Sequence, residues 1–504
     1  MNTPTGHYDF DEEAIGFGEP TTPEGVRPEG SPADRMSWSV RFGLALVAVG
    51  LLSLALQTAG TLASGTWGGL LSSFGLLALG GAWTFHAQLR GTTPGIKHDG
   101  TFFKSLLARG ALGWIAGIVM TGLYILIYWF PAVLGDHGNS EPTGLVAVVD
   151  PLAQVMTGGA ASRWFLYGVL YSLAIAVFGV RMLMKYRHNR YQMLRTGSVA
   201  LFQLVFAWYL PNLLVKLQKP YVEFNGVWPL KQDYLWPSRV QDPNHGFLNA
   251  GGFGTFLLVF AIAGVIATPI LTYFYGKRWY CSWVCGCGGL AETLGDPWRQ
   301  LSSKSTRAWK LERLTIHSVL VLVVLTTGLL WYDYATTGSV WGSWSGKYRE
   351  WYGFYIGAVF SGVVGVGFYP LLGSRVWCRF GCPQAAILGI FQRFFSRFRI
   401  TTNGGQCMSC GNCSTYCEMG IDVRAYAQNS QNIVRASCVG CGVCSAVCPR
   451  GVLKLENGAF NDRFPGADEP LIALRDSFRE PKIYGYTPWP AADQPTGSCA
   501  ENPR

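Results

Sequence analysis

Cysteine spacing carries the strongest chemical signal in the sequence. Cys407, Cys410, Cys413 and Cys417 form a C-x-x-C-x-x-C-x-x-x-C run, and Cys438, Cys441, Cys444 and Cys448 repeat it, followed by Pro449. Three thiolates from one tight loop can take three corners of a [4Fe-4S] cube, while the more distant fourth Cys ligates the other cube. The spacing therefore predicts one cluster on Cys407, Cys410, Cys413 and Cys448 and a second on Cys438, Cys441, Cys444 and Cys417. Gly411, Gly440 and Gly442 suit a backbone that turns sharply around sulfur. Zinc also takes clustered thiolates, but usually from pairs set farther apart, and disulfides need an oxidising compartment, so both fit the doubled run less well. Glu418 stands where the first run would carry the proline that the second has in Pro449.

A second duplication lies upstream. Gly276-Lys-Arg278-Trp-Tyr280-Cys281-Ser-Trp283-Val-Cys285 and Gly373-Ser-Arg375-Val-Trp377-Cys378-Arg-Phe380-Gly-Cys382 share the pattern G-x-R-x-aromatic-C-x-aromatic-x-C. If helical, each C-x-x-x-C places both sulfurs on one face, and Pro383 suits the first position of a following helix. Cys281, Cys285, Cys378 and Cys382 could then meet as a third metal site, iron-sulfur, copper or zinc. Buried free cysteine is the plainer reading, since free Cys packs as a small hydrophobe. Cys287 has no counterpart in the second copy and Cys499 stands alone, so neither is assigned a role.

The elements that must position these residues are mostly membrane helices. Of 504 residues only 14% are charged, 49% are hydrophobic and 14% aromatic, which excludes a largely disordered or nucleic-acid-binding chain. Eight apolar runs are long enough to cross about 30 Å of hydrocarbon, near residues 40–58, 68–88, 110–130, 163–183, 197–213, 253–275, 314–331 and 352–372. Lys and Arg crowd alternate loops, including Arg90 to Arg109, Arg181 to Arg195, Lys277 to Arg313 and Arg375 to Arg399, so these are expected on the cytoplasmic side, with both termini and the clusters. The fold expected is an all-α membrane bundle of about eight spans with a small cytoplasmic α+β double [4Fe-4S] ferredoxin module, in a cell inner membrane.

The expected divisions are a disordered acidic arm at 1–36, N-terminal spans at 37–215, an extracytoplasmic aromatic loop at 216–252, C-terminal spans with the edge motifs at 253–399, the ferredoxin module at 400–457 and a Pro-rich tail at 458–504. The arm lacks the features of a cleavable signal. Tyr221, Trp228, Tyr234 and Trp236 could cap a site, although an interfacial belt on the membrane surface is the simpler expectation. There is no Walker A sequence and no Cys followed by His, so nucleotide and covalent haem chemistry are not expected. His86 and His317 fall at similar expected depth, but isolated histidines near an interface are usually structural and b-type haem is disfavoured. A quinone needs only an apolar slot with a few polar groups, which sequence cannot locate.

From about Phe253 to Asn457 the chain resembles the membrane-bound polyferredoxins, a group that includes NapH-type quinol dehydrogenase subunits, the NosR family and the CcoG/RdxA/FixG accessory proteins. The segments CRFGCPQAAILGIFQRF and CGNCSTYCEMGIDVR carry the likeness, and Gly286 replaces the proline expected after the first edge motif. The resemblance implies electron transfer, with a membrane or quinone partner on one side and a protein redox partner on the other. The N-terminal arm leaves no room for the flavin domain of NosR-like proteins, and only a short tail stands where CcoG-like proteins carry a β-sandwich. The alternatives are a factor that reduces copper for assembly of a respiratory oxidase, with the metal held by the four edge cysteines, and a redox sensor.

Overall fold

The computed structural model describes residues 37–90, 109–138, 140–241, 247–249, 251–336, 341–402 and 406–458. The expected acidic arm, nearly all of the tail and Cys499 lie outside them. Among the described residues seven helices are long and apolar enough to cross a membrane: Trp38–Thr58, Trp67–Leu89, Ala111–Trp129, Arg163–Lys185, Arg190–Lys216, Gly251–Tyr275 and Thr306–Ala335. Their outward side chains, such as Leu51, Ile118, Val119, Ile262 and Ile266, are exposed. In water such faces would be costly; in lipid they are solvated, and the helix satisfies its own backbone. Small residues set how closely the first two helices cross. A Cβ built on Gly80 would lie 2.8 Å from the carbonyl oxygen of Gly43, so any larger residue there forces the helices apart.

The eighth expected span is shifted and interrupted. A helical rod runs from Ser343 to Val364, begins with Lys347, Arg349 and Glu350, and passes into wide turns from Gly353. It ends short of the apolar residues that follow, and Tyr369–Leu372 forms a separate turn. Pro370 and Gly373 punctuate that stretch, and Gly373 has a φ of 99° that a side chain would resist.

The aromatic loop is only partly at the surface, where Tyr221 is exposed. Tyr234 and Trp236 are buried, and Tyr234 packs with Val222, Phe247 and Leu257. Asn225 reaches the interior, donating to Gln203 Oε1 at 2.9 Å, and its carbonyl accepts from the Tyr280 hydroxyl at 2.9 Å. The loop thus extends down to the residue preceding Cys281.

The cysteine-rich module is closed by strand Phe398–Thr402 pairing antiparallel with Leu453–Asn457, Phe398 opposite Asn457. Its core is continuous with the membrane body: Phe398, Ile400, Ile421, Val439 and Leu453 share one buried cluster with Tyr280, Cys281 and Leu388.

Candidate metal centres and their buried charge network

The two ferredoxin runs are built twice in the same way. Cys413 and Cys444 sit in the single turns Asn412–Thr415 and Val443–Ala446, entered through Gly411 at φ 77° and Gly442 at φ 72°. That left-handed entry is open to glycine and strained for other residues, which fixes the spacing of the surrounding sulfurs. Cys407, Cys410, Cys413 and Cys448 line one cavity. Cys417 is close enough to Cys438 and Cys444 to act on both electrostatically. The fourth Cys of each run therefore lies with the other run, as a two-cube arrangement requires. Burial pushes the Cys413 and Cys438 thiols up to about 11, and backbone amides offset part of that rise, as where Ile421 donates to Cys417 Sγ at 3.4 Å. Convergent soft donors with amides directed at sulfur fit an iron-sulfur cube, whose iron would keep such thiols deprotonated.

The edge cysteines also converge, though not on two continuous helices. Cys281 ends the turn Arg278–Cys281 and Cys285 precedes the helix Gly286–Glu292. Cys378 lies within Val376–Phe380, and Cys382 caps the helix Pro383–Phe394, accepting from the Ala385 amide at 3.4 Å. Pro383 takes the first helical position as expected. Each segment breaks between its two cysteines, and the four thiols lie close enough to act on one another electrostatically. All four are buried. Burial pushes the thiols of Cys281 and Cys382 up, and each is raised further by neighbouring thiols of the group. Burial also raises Cys378, while Arg375 opposes that shift.

Two features depart from the repeat. Arg375 donates to the Cys281 carbonyl at 3.2 Å and lies 3.7 Å from Cys378 Sγ. Its counterpart Arg278 instead donates to the Tyr275 carbonyl and stacks over Phe398; near Cys281 the cation is Lys277. Cys287, left without a role by the sequence, is hydrogen-bonded to Cys285, whose thiol that contact lowers, and Cys287 lies near Cys378 and Cys382. The signal was its spacing two residues from Cys285, which comparison of the two copies discards.

A buried charge network joins the edge to the ferredoxin module. Arg299 bridges Glu292 at 3.0 Å, Asp296 at 3.1 Å and Glu418 at 2.9 Å. Arg375 bridges Glu292 at 2.6 Å and Glu418 at 3.0 Å. Arg195 pairs with Glu292, and Arg181 and Lys185 pair with Asp296. Five cations thus face three carboxylates. Burial opposes ionisation of Glu292 and Asp296, but the surrounding cations outweigh it and hold both well below the usual carboxylate range. The excess positive charge abuts Cys378, and Glu292 and Glu418 come within 4.8 Å of Cys441. Such an excess suits thiolate-bound metal, which is anionic. Arg181, Lys185, Arg195 and Arg375, which the Lys and Arg count assigns to loops, are drawn inward by pairing across distant segments.

A cavity of about 890 Å³ lies against the edge site. Loop residues Thr157 to Ser162 and Tyr221 to Asp233 wall one part, and Gly286, Cys287 and Pro383 another. Tyr124, Tyr167 and Tyr171 line it between, and the Tyr171 hydroxyl donates to Gln203 Oε1 and the Gly286 carbonyl, both at 2.9 Å. His86 and His317 are both exposed and neither lines it.

Comparison with known proteins agrees with this geometry. A family model described as a 4Fe-4S binding domain matches residues 257–306 and again 355–401, the two copies of the edge motif. A 4Fe-4S dicluster domain matches residues 399–449. The methylamine utilization ferredoxin-type protein MauN of Methylobacillus flagellatus is 26% identical over 172 residues, covering 32% of this chain and 56% of the relative. The putative electron transport protein YccM of Escherichia coli is 25% identical over 160 residues, covering 29% and 43%. The chain spans about half the length of these curated relatives. No solved structure matches. The matches fit a membrane-bound 4Fe-4S polyferredoxin family.

Proposed function

We propose that this polyferredoxin-type chain relays electrons between the membrane and a redox partner. Cys407, Cys410, Cys413 and Cys448 would hold one [4Fe-4S] cluster, and Cys438, Cys441, Cys444 and Cys417 the other. Each cluster passes one electron at a time without making or breaking a bond in the protein. Cys281, Cys285, Cys378 and Cys382 would hold a third redox-active metal, iron-sulfur or copper. The observation that carries this reading is that Cys281 and Cys285 share a buried core with the ferredoxin module while the neighbouring Gly286, Cys287 and Pro383 line a cavity. The excess of Lys and Arg in the loops that the module adjoins supports a cytoplasmic location for it.

The ligand exchange gives a direct check on the cluster assignment. Cys448→Ser is expected to remove the signal of the cluster shared with Cys407 while leaving the other, and Cys417→Ser the reverse. Electron paramagnetic resonance of the reduced variants reads both; loss of the opposite signal in each case would reverse the assignment.

The cavity suits a quinol as the membrane donor: it has an aromatic wall, a Tyr171 and Gln203 polar pair, and a volume in the range of small-molecule sites. Tyr171 and Gln203 would orient the ring hydroxyls near Cys287. Filling the cavity by Ala207→Trp should slow cluster reduction by a quinol analogue at least tenfold and leave reduction by dithionite unchanged. Equal quinol-driven rates in the variant and the parent would place the donor elsewhere. Copper reduction for an oxidase draws on the same four soft thiolates, and copper rather than iron bound stoichiometrically at the edge would favour it.

A further inference from the structure

Around their opening cysteines the two runs have different surroundings; farther on, the first run also meets the membrane body, through Glu418. In the second run the membrane body holds the backbone at successive positions. Lys277 donates to the Ala436 carbonyl, Gln392 to that of Cys438, Ser282 to Val439, Tyr191 to Gly440 and Gln192 to Cys441, at 2.6 to 3.3 Å. The first run faces outward: Met408, Ser409 and Cys410 are exposed, Met408 by 56%. The cavity that Cys407, Cys410, Cys413 and Cys448 line is bordered by Arg424 and Arg450, both exposed, and among the described residues by no acid. Of the nearby acids, Asp422 accepts from Ser414 Oγ at 2.7 Å, and Glu456 is half-buried and lies opposite Arg399 in the strand pair.

We propose that this exposed face, centred on Met408 and Cys410 and rimmed by Arg424 and Arg450, docks a small acidic electron-carrier protein. The proposal rests on the reading that Cys407, Cys410, Cys413 and Cys448 hold a cluster, and it orders the path. The second run is the one in contact with the membrane side, and the first is where electrons leave or enter. A polarizable Met at the centre of the face supplies adaptable apolar contact, while the basic rim steers an acidic partner and makes association depend on ionic strength. The exchange is one electron, lost by one centre and gained by the other, with no bond formed or broken.

Binding can be measured without turnover. The full-length, cluster-loaded protein in detergent is immobilised, and an acidic flavodoxin is passed over it at low and high salt, with a basic cytochrome c as the opposite probe. Flavodoxin should bind more tightly than cytochrome c at low salt and lose at least tenfold in affinity at high salt. Arg424→Glu with Arg450→Glu should weaken flavodoxin at least tenfold and leave both cluster signals intact, which shows that the variant is folded and loaded. Tighter binding of cytochrome c, or flavodoxin binding unchanged by the double reversal, would overturn the proposal. Absence of the Cys407 cluster signal in the parent protein would instead defeat the reading beneath it.

Discussion

Replacing Cys378 and Cys382 together with alanine is expected to lower the bound metal by one site and to stop electron flow from membrane to ferredoxin, while both ferredoxin signals persist. The expectation follows from the convergence of four buried thiols drawn from two distant copies of one motif. Removing two of four donors leaves too few ligands for a cube or a tetrahedral metal. The local fold should survive, because cysteine to alanine is a small change and the helix after Cys382 keeps Pro383 at its first position. Metal analysis, together with reduction kinetics using a quinol analogue, reads the result. A fall in quinol-driven reduction of a hundredfold or more is expected, with dithionite reduction unaltered. Unchanged metal content and unchanged quinol-driven rates would mean that the cysteines only pack.

Arg299→Ala should destabilise the attachment of the ferredoxin module more than any surface substitution. The side chain is fully buried and touches Glu292, Asp296 and Glu418, one carboxylate from the module and two from the membrane body. Truncation leaves buried negative charge without its central partner, a change that typically costs about 3–5 kcal/mol. Arg375 still reaches Glu292 and Glu418, so the module should loosen before the helices unfold. Faster proteolysis after the last membrane helix and a lower thermal midpoint for cluster loss are the expected readouts. Adding Glu418→Gln to Arg299→Ala should recover part of the loss, since one uncompensated charge is then gone. A single variant as stable as the parent would show that the network is not what holds the module in place.

What was legible in the sequence was local. The two cysteine runs follow from fixed spacing within short loops, and that spacing is also the ground for expecting Cys417 and Cys448 to exchange clusters. The duplicated edge motif was equally plain, and Pro383 marked the start of a helix. The features that were missed depend on contacts between distant segments. Nothing near Arg195 or Arg299 states that Glu292 will neutralise both, so hydropathy and loop counts placed such residues in water. Trp236 and Tyr234 read as an interfacial belt because their type favours it, whereas both are buried, Tyr234 by packing against Leu257 and Ala261 in a later helix. Glu418 was visible as a departure from the proline of the second run. Its purpose emerged only when Arg299 and Arg375, remote in sequence, were found on either side of its carboxylate. The C-x-x-x-C spacing puts both sulfurs on one face if the segment is helical; here one helical turn ends at Cys281 and a new helix starts after Cys285.

Iron-sulfur content reads directly whether a chain of metal centres leads from the membrane to an exposed ferredoxin face. The full chain, purified without oxygen, should contain iron and acid-labile sulfide for two [4Fe-4S] clusters, with further metal at the edge cysteines. Its reduced form should show two magnetically interacting S = 1/2 signals by electron paramagnetic resonance. Stoichiometric zinc with no acid-labile sulfide and no such signals would contradict the account.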